Sequence, residues 1–337
     1  MSLSIKRKFT ALSMSVVFIA VLIAMGELAC RWFTRINFLD NSRGMFTYKR
    51  FGNTYGNTPN FSGISFGESF RTDANGFRED EPAATRNSGD AILVMGDSVA
   101  FGPALKDGAT IAGRLRTMMP DRVVYNAAVI GYDTFDYKVA TTAIVEQHPE
   151  IKTVLLFICL NDVSDASAQS IRAENPLTAD PEAASPSIPR RVNDYLRSRS
   201  KLFLWLKNLL IDTQMVYFKN DLAHYQKGDE NLHRAMAPIT ELNRELRSKG
   251  VEIKVFVLPY EAQLRPDAPS EYGLPQRMLT AFLTANGIEN YDLTPEFARL
   301  TPRAADLFLY ADPMHVSADG AKLVAENVCK TLPNCRP

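Results

Sequence analysis

ILVMGDSVAFG, residues 92–102, joins a short apolar run to a small polar turn. The run from Ile92 to Met95 is typical of a buried strand, and the glycine and aspartate after it predict a tight turn into a helix. Ser98 then lies at the tip of that turn. Two interpretations are open at this point: an ordinary strand-to-helix turn, or a turn that presents Ser98 as a nucleophile.

Around this stretch, apolar segments alternate with amphipathic ones. Strands are predicted at AILVMG, DRVVYNAAV, KTVLLFICL, VEIKVFVLP and IENYDL, with helices between them. The last helix is expected to begin after Ser317, a residue type that favours helix N-caps. This alternation predicts a parallel sheet that is covered by helices on both faces. Ligands of such sheets bind beyond the carboxyl ends of the strands, which is where Ser98 lies.

The composition is that of a globular protein without a nucleic-acid partner. Of 337 residues, 46% are hydrophobic and 23% are charged, and the formal net charge is zero. We expect residues 1–8 to form a cytoplasmic stub, 9–29 a transmembrane helix, and 30–89 an irregular β-hairpin extension. Residues 90–337 are expected to form the main domain, with an insertion at about 164–227.

The N-terminal segment predicts a membrane anchor. Lys6, Arg7 and Lys8 precede a run without charges from Phe9 to Gly26. Positive charges before an apolar span predict a cytoplasmic N-terminus, so the main domain is expected on the outer side of the membrane. The run is near the lower length limit for crossing the hydrocarbon core and longer than the core of a usual signal peptide. We therefore expect a retained anchor; a cleaved signal peptide is the alternative.

Two segments depart from the alternating pattern. In RTDANGFRED, residues 71–80, the pair Asn75-Gly76 predicts the turn of a hairpin. Residues 164–191 are rich in Ala, Ser and Pro and predict a mobile loop. VNDYLRSRSKLFLWLKNLLI, residues 192–211, predicts one helix with a strongly apolar half. The apolar half, around Trp205, has three interpretations: core packing, a lid over a site, or a membrane-facing patch.

Polar residues follow other predicted strands at positions that match Ser98. These are Gly131 after the second strand, Asn161 after the third, and Asp312 and His315 just before the last helix. Ester hydrolysis by serine needs a hydroxyl, a base, a group that orients the base, and donors for the oxyanion. Each residue alone is a weak signal, because turn glycines, helix caps and structural histidines are common. Their combination in this order favours a catalytic site.

This ordered set resembles the SGNH hydrolases, also called GDSL esterases and lipases. The resemblance covers about residues 90–332, and RTDANGFRED is similar to a segment that precedes the serine block in membrane-anchored bacterial members. The four blocks are, in order, GDSVAFG with Ser98, NAAVIGY with Gly131, LND with Asn161, and DPMH with Asp312 and His315. One position departs from the family pattern: many members have glycine where this chain has Cys159. We therefore expect a change of shape near the oxyanion site.

The resemblance implies a three-layer α/β/α flavodoxin-like sandwich with a central parallel sheet, and a serine mechanism without a metal or organic cofactor. Ser98 would attack an acyl carbonyl, His315 would take its proton, and Asp312 would orient the imidazole. The backbone N–H groups of Ser98 and Gly131 and the side-chain amide of Asn161 would hold the oxyanion. Together with the anchor, the resemblance implies a single-pass bacterial inner-membrane protein whose catalytic domain is periplasmic.

Three functions are compatible with such a site. The first is hydrolysis of small acyl esters, acetyl above all, with an envelope polysaccharide among the candidate substrates. The second is transfer of the acyl group onto a polysaccharide hydroxyl, and the third is a non-catalytic glycan-binding module. The expected partners are an ester substrate and the membrane, and no protein partner can be named.

The four cysteines have different expected roles. Cys329 and Cys335 are six residues apart in CKTLPNC, where a disulfide would close a small loop in an oxidising compartment. Two free thiols are the alternative, because sequence does not report the geometry. Cys159 lies in an apolar run and is expected to be an inert core residue, while Cys30 lies at the membrane edge. The spacing of Cys and His does not resemble a zinc site.

Overall fold

The computed structural model of the chain describes residues 3–79, 89–163, 188–300 and 304–336. Helix α1 (Leu3–Phe33) leads into two antiparallel pairs of short strands. The first pair is β1 (Phe46–Phe51) with β2 (Thr54–Asn57), and the second is β3 (Ser62–Ser65) with β4 (Glu68–Arg71). Two small hairpins therefore occupy the region in which the sequence favours a β extension.

Five parallel strands form the central sheet. They are β5 (Ala91–Gly96), β6 (Val124–Asn126), β7 (Ile151–Ile158), β8 (Glu252–Val257) and β9 (Glu289–Asp292). Their order across the sheet is β6-β5-β7-β8-β9, and every neighbouring pair is parallel. This is the 2-1-3-4-5 order of flavodoxin-like folds. The predicted central parallel sheet is confirmed.

Helices cover both faces of this sheet. In the described residues, the helices after α1 are α2 (Ser98–Phe101), α3 (Ile111–Met118), α4 (Thr134–Gln147), α5 (Ile188–Arg197), α6 (Lys201–Leu210), α7 (Thr213–Tyr225), α8 (Asp229–Ser248), α9 (Leu274–Ala285), α10 (Thr294–Ala298) and α11 (Ala318–Cys329). Of these, α5 packs on α6, and α6 packs on α1. Helix α3 packs on α11, whereas α4 packs on α8. The chain crosses the sheet in opposite directions before and after β6, so right-handed connections place α3 and α4 on opposite faces. The predicted three-layer α/β/α sandwich is confirmed.

Local sequence accounts for these elements. All six residues of β5 are buried, as expected for a strand covered on both faces. Helix α4 begins at a capping box in which Asp133 and Asp136 cap each other's backbone N–H groups. Ser317 caps α11 as expected, because its hydroxyl accepts the N–H of Gly320 at 3.3 Å.

Several segments differ from the prediction. The single helix predicted over residues 192–211 is wrong, because the structure has two helices, α5 and α6, with a break at Ser198–Ser200. Ser200 caps α6 by accepting the N–H of Phe203 at 3.0 Å. By contrast, over residues 71–79 the antiparallel bridge between Thr72 and Arg78 closes a short hairpin with Asn75 and Gly76 in its turn, as predicted. The predicted loop falls mainly on residues 164–187, and the predicted boundary at 85–90 mainly on 85–88, all outside the described residues.

Helix α1 extends past both ends of the predicted span 9–29. Within the described part of the chain, one helix is long and apolar enough to cross a membrane: Thr10–Phe33, with a mean hydropathy of 2.2 and none of its most apolar window buried in the protein. Length and composition alone do not distinguish an anchor from a signal sequence. At the other end of the chain, the structure joins Cys329 and Cys335 in a disulfide, whereas Cys30 and Cys159 are buried free thiols.

Candidate active site

Ser98 is the first residue of α2, and only Asp97 separates it from the end of β5. A Cβ atom at Gly96 would lie 3.0 Å from the carbonyl oxygen of Phe157, so the chain turns here only with glycine. Asp97 caps the short helix, because its carboxylate accepts the N–H of Val99 at 2.8 Å. The turn holds Ser98 at the carboxyl edge of the sheet.

Ser98, His315 and Asp312 form a continuous hydrogen-bonded chain. The hydroxyl oxygen of Ser98 lies 2.8 Å from Nε2 of His315, and Nδ1 of His315 lies 2.8 Å from Oδ2 of Asp312. The other oxygen of Asp312 accepts the backbone N–H groups of Met314 at 3.0 Å and His315 at 2.8 Å. Because an ionised carboxylate only accepts hydrogen bonds, Nδ1 is the donor and Nε2 is left to accept the proton of Ser98.

The environment shifts the pKa values of both members of the ion pair. Burial alone would lower the pKa of His315, but the charge and hydrogen bond of Asp312, with the charge of Asp97, raise it. Burial alone would raise the pKa of Asp312, but the charge of His315 and the hydrogen bonds from His315 and Met314 lower it. Asp312 therefore stabilises the imidazolium that forms when His315 takes a proton.

Asn161 lies beside the turn that carries Ser98. It follows β7, and its side-chain amide donates to Oδ2 of Asp97 at 3.2 Å. The hydroxyl of the fully buried Tyr260 lies 3.4 Å from Oδ1 of Asn161 and donates at 2.7 Å to Asp221. The structure thus links Asn161 to the nucleophile turn through Asp97.

Gly131 lies in the loop after β6, at the same edge of the sheet. Its φ is +81°, and a Cβ atom there would lie 2.9 Å from the hydroxyl oxygen of Tyr55. That hydroxyl donates to the carbonyl of Ile130 at 2.9 Å. The N–H of Val129 donates to the carbonyl of Gly96 at 3.1 Å, which holds the loop against the end of β5. Of the predicted site residues, three are in direct contact, and Asn161 and Gly131 lie at the neighbouring strand ends.

Phe66 lies near this site, although no sequence motif pointed to it. Its ring packs edge-on against the imidazole of His315, with the ring centres 5.3 Å apart. It occupies a two-residue turn between β3 and β4, with a φ of +51°, followed by Gly67 at +82°. A positive φ strains a bulky residue, and such strain is commonest at functional sites. The signal in the sequence is Gly67 between two short strand-like runs.

Arg78 is a second residue of this kind, although it belongs to the quoted stretch RTDANGFRED. Its side chain is buried and donates to the carbonyls of Phe101 at 2.8 Å and Gly102 at 2.6 Å, and also to Leu105. Its guanidinium also lies over the ring of Phe101, 4.7 Å from the centre. Arg78 therefore fixes the chain that leaves the Ser98 helix.

Asp162, directly after Asn161, and Cys159, two residues before it, have structural contacts. Asp162 is buried and accepts the hydroxyl of Tyr137 at 2.7 Å and the N–H of Cys159 at 2.8 Å. Burial, together with the carboxylates of Asp97 and Asp162, raises the pKa of the Cys159 thiol well above its ordinary value. A thiol that stays protonated is a poor nucleophile, which agrees with an inert core residue.

A pocket of about 180 Å³ adjoins the imidazole side of the site. Its wall combines His315, the hairpin tip at Phe66, the segment after α1 and the helix α6. Residues that line it include Ile36, Leu39, Leu204, Lys207, Asn208 and Tyr310. Within the described ranges, His, Cys, Asp and Glu side chains form no cluster of three or more that could hold a metal ion.

Comparison with known proteins supports the resemblance seen in the sequence. Residues 215–336 match the family described as "SGNH hydrolase-like domain, acetyltransferase AlgX". The matched range contains Asp312 and His315, while Ser98, Gly131 and Asn161 lie before it. No curated protein is significantly similar to the chain.

Several solved structures are similar to the chain at low sequence identity. A member of the lipolytic protein G-D-S-L family from Veillonella parvula is 12% identical, with a TM-score of 0.41, over 72% of this chain and 98% of the other. A catalytic mutant of an acetylxylan esterase from Geobacillus stearothermophilus is 15% identical, with a TM-score of 0.43, over 74% of this chain and 98% of the other. Similarity at this level carries no argument about activity.

Proposed function

We propose that this chain, which carries an SGNH hydrolase-like domain, is a serine esterase that removes small acyl groups, acetyl above all, from an ester of the cell envelope. An acylated polysaccharide is the proposed substrate. The observation that carries the proposal is the chain of hydrogen bonds from Ser98 through His315 to Asp312, with 2.8 Å at each step. Nucleophilic catalysis by serine requires a hydroxyl, a base and a buried carboxylate in this order.

The proposed reaction has two steps. In the first, Oγ of Ser98 attacks the acyl carbon while Nε2 of His315 takes the hydroxyl proton, and the imidazolium then protonates the leaving alcohol. In the second, His315 takes a proton from water, which attacks the acyl-enzyme, and returns it to Ser98. Asp312 holds the imidazole and its charge in both steps.

Three groups are proposed to hold the oxyanion. The N–H of Ser98 is in the first turn of a helix, where N–H groups lack an intrahelical acceptor. The N–H of Gly131 and the side-chain amide of Asn161 come from the neighbouring strand ends. The amide of Asn161 already donates to Asp97, so that carboxylate sets its orientation before substrate binds.

The pocket beside His315 supports binding of a small part of the substrate next to the nucleophile. At about 180 Å³, it is smaller than the ~300–1,000 Å³ of pockets that hold drug-sized ligands. This volume accommodates part of one sugar ring. Ser98 is not among the residues that line the pocket, so the pocket supports a binding place beside the nucleophile and sets no limit on the acyl group. The half-exposed Lys207 and Asn208 in its wall offer donors for sugar hydroxyls.

Acyl transfer is the second candidate, and the family match is the observation that favours it. The matched family is described by an acetyltransferase. Transfer and hydrolysis share the acyl-enzyme at Ser98 and differ only in whether a polysaccharide hydroxyl or water accepts the acyl group. Exclusion of water from the acyl-enzyme would decide between them.

We also propose that α1 is retained as a membrane anchor, with the main domain on the periplasmic side. The carboxylate of Glu27, inside the apolar helix, accepts the hydroxyl of Ser200 at 2.8 Å and the backbone N–H groups of Lys201 at 3.2 Å and Leu202 at 3.0 Å. Nε of Arg31 donates to the same carboxylate at 2.7 Å. Cleavage after α1 would remove the group that caps α6, and this supports retention of the helix.

The test uses the full chain in detergent with p-nitrophenyl acetate, butyrate and octanoate. Ser98→Ala should abolish turnover, while Ser270→Ala, at an exposed serine, should leave it unchanged. Activity should fall as the acyl chain lengthens, and a fluorophosphonate probe should label the wild type and fail to label Ser98→Ala. Adding acetylated donor and oligosaccharide acceptor then separates transfer from hydrolysis by mass spectrometry. A folded wild type that neither turns over nor labels would point to a glycan-binding module.

A further inference from the structure

Helix α6 presents an apolar stripe to the outside of the protein. Leu206, Leu209 and Leu210 are 45%, 62% and 83% exposed, and Trp205 is 36% exposed. On a helix with 3.6 residues per turn, these four positions lie on one face. Large apolar side chains grouped in this way on one helix mark an interaction surface.

The opposite face of α6 is turned toward the rest of the protein. Leu204 is buried, and Leu204, Lys207 and Asn208 line the pocket beside His315. One helix therefore forms the wall of the pocket on one side and the apolar stripe on the other. Whatever covers the stripe holds the wall of the pocket in place.

The stripe is continuous with the apolar helix α1. A Cβ atom at Gly26 would lie only 3.1 Å from Cδ2 of Leu202, so α6 starts against the surface of α1. Glu27 caps α6 with hydrogen bonds to Ser200, Lys201 and Leu202. Arg31, one turn further on, donates to the carbonyl of Arg199 at 2.9 Å.

These contacts fix the depth of α6 relative to the apolar helix. Glu27 lies six residues before the end of α1 at Phe33, which is about 9 Å along the helix axis. The first residues of α6 are thus at the level of the last two turns of the candidate membrane span. Trp32 and Phe33, at the same end, are 81% and 87% exposed, as in the aromatic belts of membrane proteins.

We propose that α6 lies in the outer boundary of the bilayer, with its stripe of Trp205, Leu206, Leu209 and Leu210 among the lipid acyl chains. The inference rests on the retained anchor proposed above. Interfacial helices bury an apolar face about 5–10 Å into this boundary. The bilayer then supports one wall of the pocket, and the site opens at the membrane surface.

The two tryptophans of the chain, Trp32 and Trp205, allow a direct test. The full chain is placed in nanodiscs of equal parts phosphatidylcholine and phosphatidylglycerol, as the variants Trp32→Phe, which retains Trp205, and Trp205→Phe, which retains Trp32. Phosphatidylcholine brominated near the headgroup or near the chain end, and iodide in the buffer, are the quenchers. We expect Trp205 to be quenched more by shallow than by deep bromine, and little by iodide.

Two results would overturn the inference. Strong quenching by iodide without quenching by brominated lipid would place Trp205 in water. Protection from both quenchers would mean that protein, for example a second copy of the chain, covers the stripe. Trp32 is the internal reference. If Trp32 is quenched by brominated lipid and Trp205 is not, α1 is in the membrane and only the proposed position of α6 is wrong. If neither is quenched, the anchor itself is wrong.

A second variant tests the whole stripe. Leu206→Gln combined with Leu210→Gln, in the Trp32→Phe background, should cause loss of lipid quenching at Trp205. Leu300→Gln, at an exposed leucine after α10, is the matched control and should leave the quenching unchanged. Unchanged quenching in the double variant would contradict a role of the stripe in lipid binding.

Discussion

Replacing Asp312 by asparagine tests the proposed mechanism at its most specific contact. The substitution keeps the shape of the side chain and an oxygen for the N–H groups of Met314 and His315. It places an amide donor 2.8 Å from Nδ1 of His315, where the carboxylate now accepts. The ring then carries its proton on Nε2 and has no lone pair for the hydroxyl of Ser98.

The expected loss is large. An equivalent change in a serine protease lowers kcat by about 10⁴-fold, and each factor of ten corresponds to about 1.36 kcal/mol of activation free energy. We therefore expect Asp312→Asn to raise the barrier by about 5 kcal/mol. The assay is initial-rate hydrolysis of p-nitrophenyl acetate beside the rate of fluorophosphonate labelling, which reports the nucleophile without depending on the natural substrate.

The pH profile supplies an independent readout. His315 acts as a base only when neutral, and its pKa is raised by Asp312, so the acid limb of kcat/KM should lie above pH ~6.5 in the wild type. Removing the carboxylate lowers that pKa, so the limb should move to lower pH in Asp312→Asn. Asp319→Asn, at an exposed aspartate, is the control and should change neither the hydrolysis rate nor the pH of the acid limb of kcat/KM. A loss below tenfold, or an unmoved limb in a folded variant, would refute the assigned role of Asp312.

Three further predictions concern other parts of the structure. Asn161→Ala should lower kcat for p-nitrophenyl acetate by about 10²–10³-fold, and an unchanged rate would remove Asn161 from the oxyanion site. Arg78→Met should lower the free energy of unfolding in urea by about 3–5 kcal/mol, because several buried carbonyls lose their donor; a loss below ~1 kcal/mol would contradict that reading. Replacing both Cys329 and Cys335 by serine should cost about 2 kcal/mol, as expected for a disulfide that closes so small a loop, and equal urea midpoints with the wild type would argue against it.

The sheet and the proposed triad are predictable because both depend on local patterns. Strands of a parallel sheet are buried on both faces and are therefore continuous apolar runs, as in Ile151–Ile158. The carboxyl ends of such strands share one edge, so polar residues that follow them meet in space. Ser98 follows β5 and obeys this rule, whereas His315 lies just before the last helix and follows no strand of the sheet. Its contact with Ser98 was expected from that position together with the resemblance to SGNH hydrolases.

The misjudged elements depend on distant partners. Local periodicity continues through the break between α5 and α6, and the break is fixed by Glu27, which caps α6 from a helix about 170 residues earlier. Ser200 was the available local signal, as a possible N-cap. Phe66 likewise occupies a turn conformation that its residue type disfavours, because its ring packs on His315 from the other end of the chain.

The short connection between α1 and the pocket has a kinetic consequence. Ile36, in the wall of the pocket, follows Phe33 by only three residues, a reach of about 11 Å even when extended. If α1 is retained in the membrane as proposed, the proposed reaction takes place close to the lipid surface. Encounter with a membrane-associated ester is then a search in two dimensions, and turnover follows the number of ester molecules per unit area. Diluting the vesicles would leave the rate per enzyme unchanged, whereas diluting the ester within the lipid would slow it.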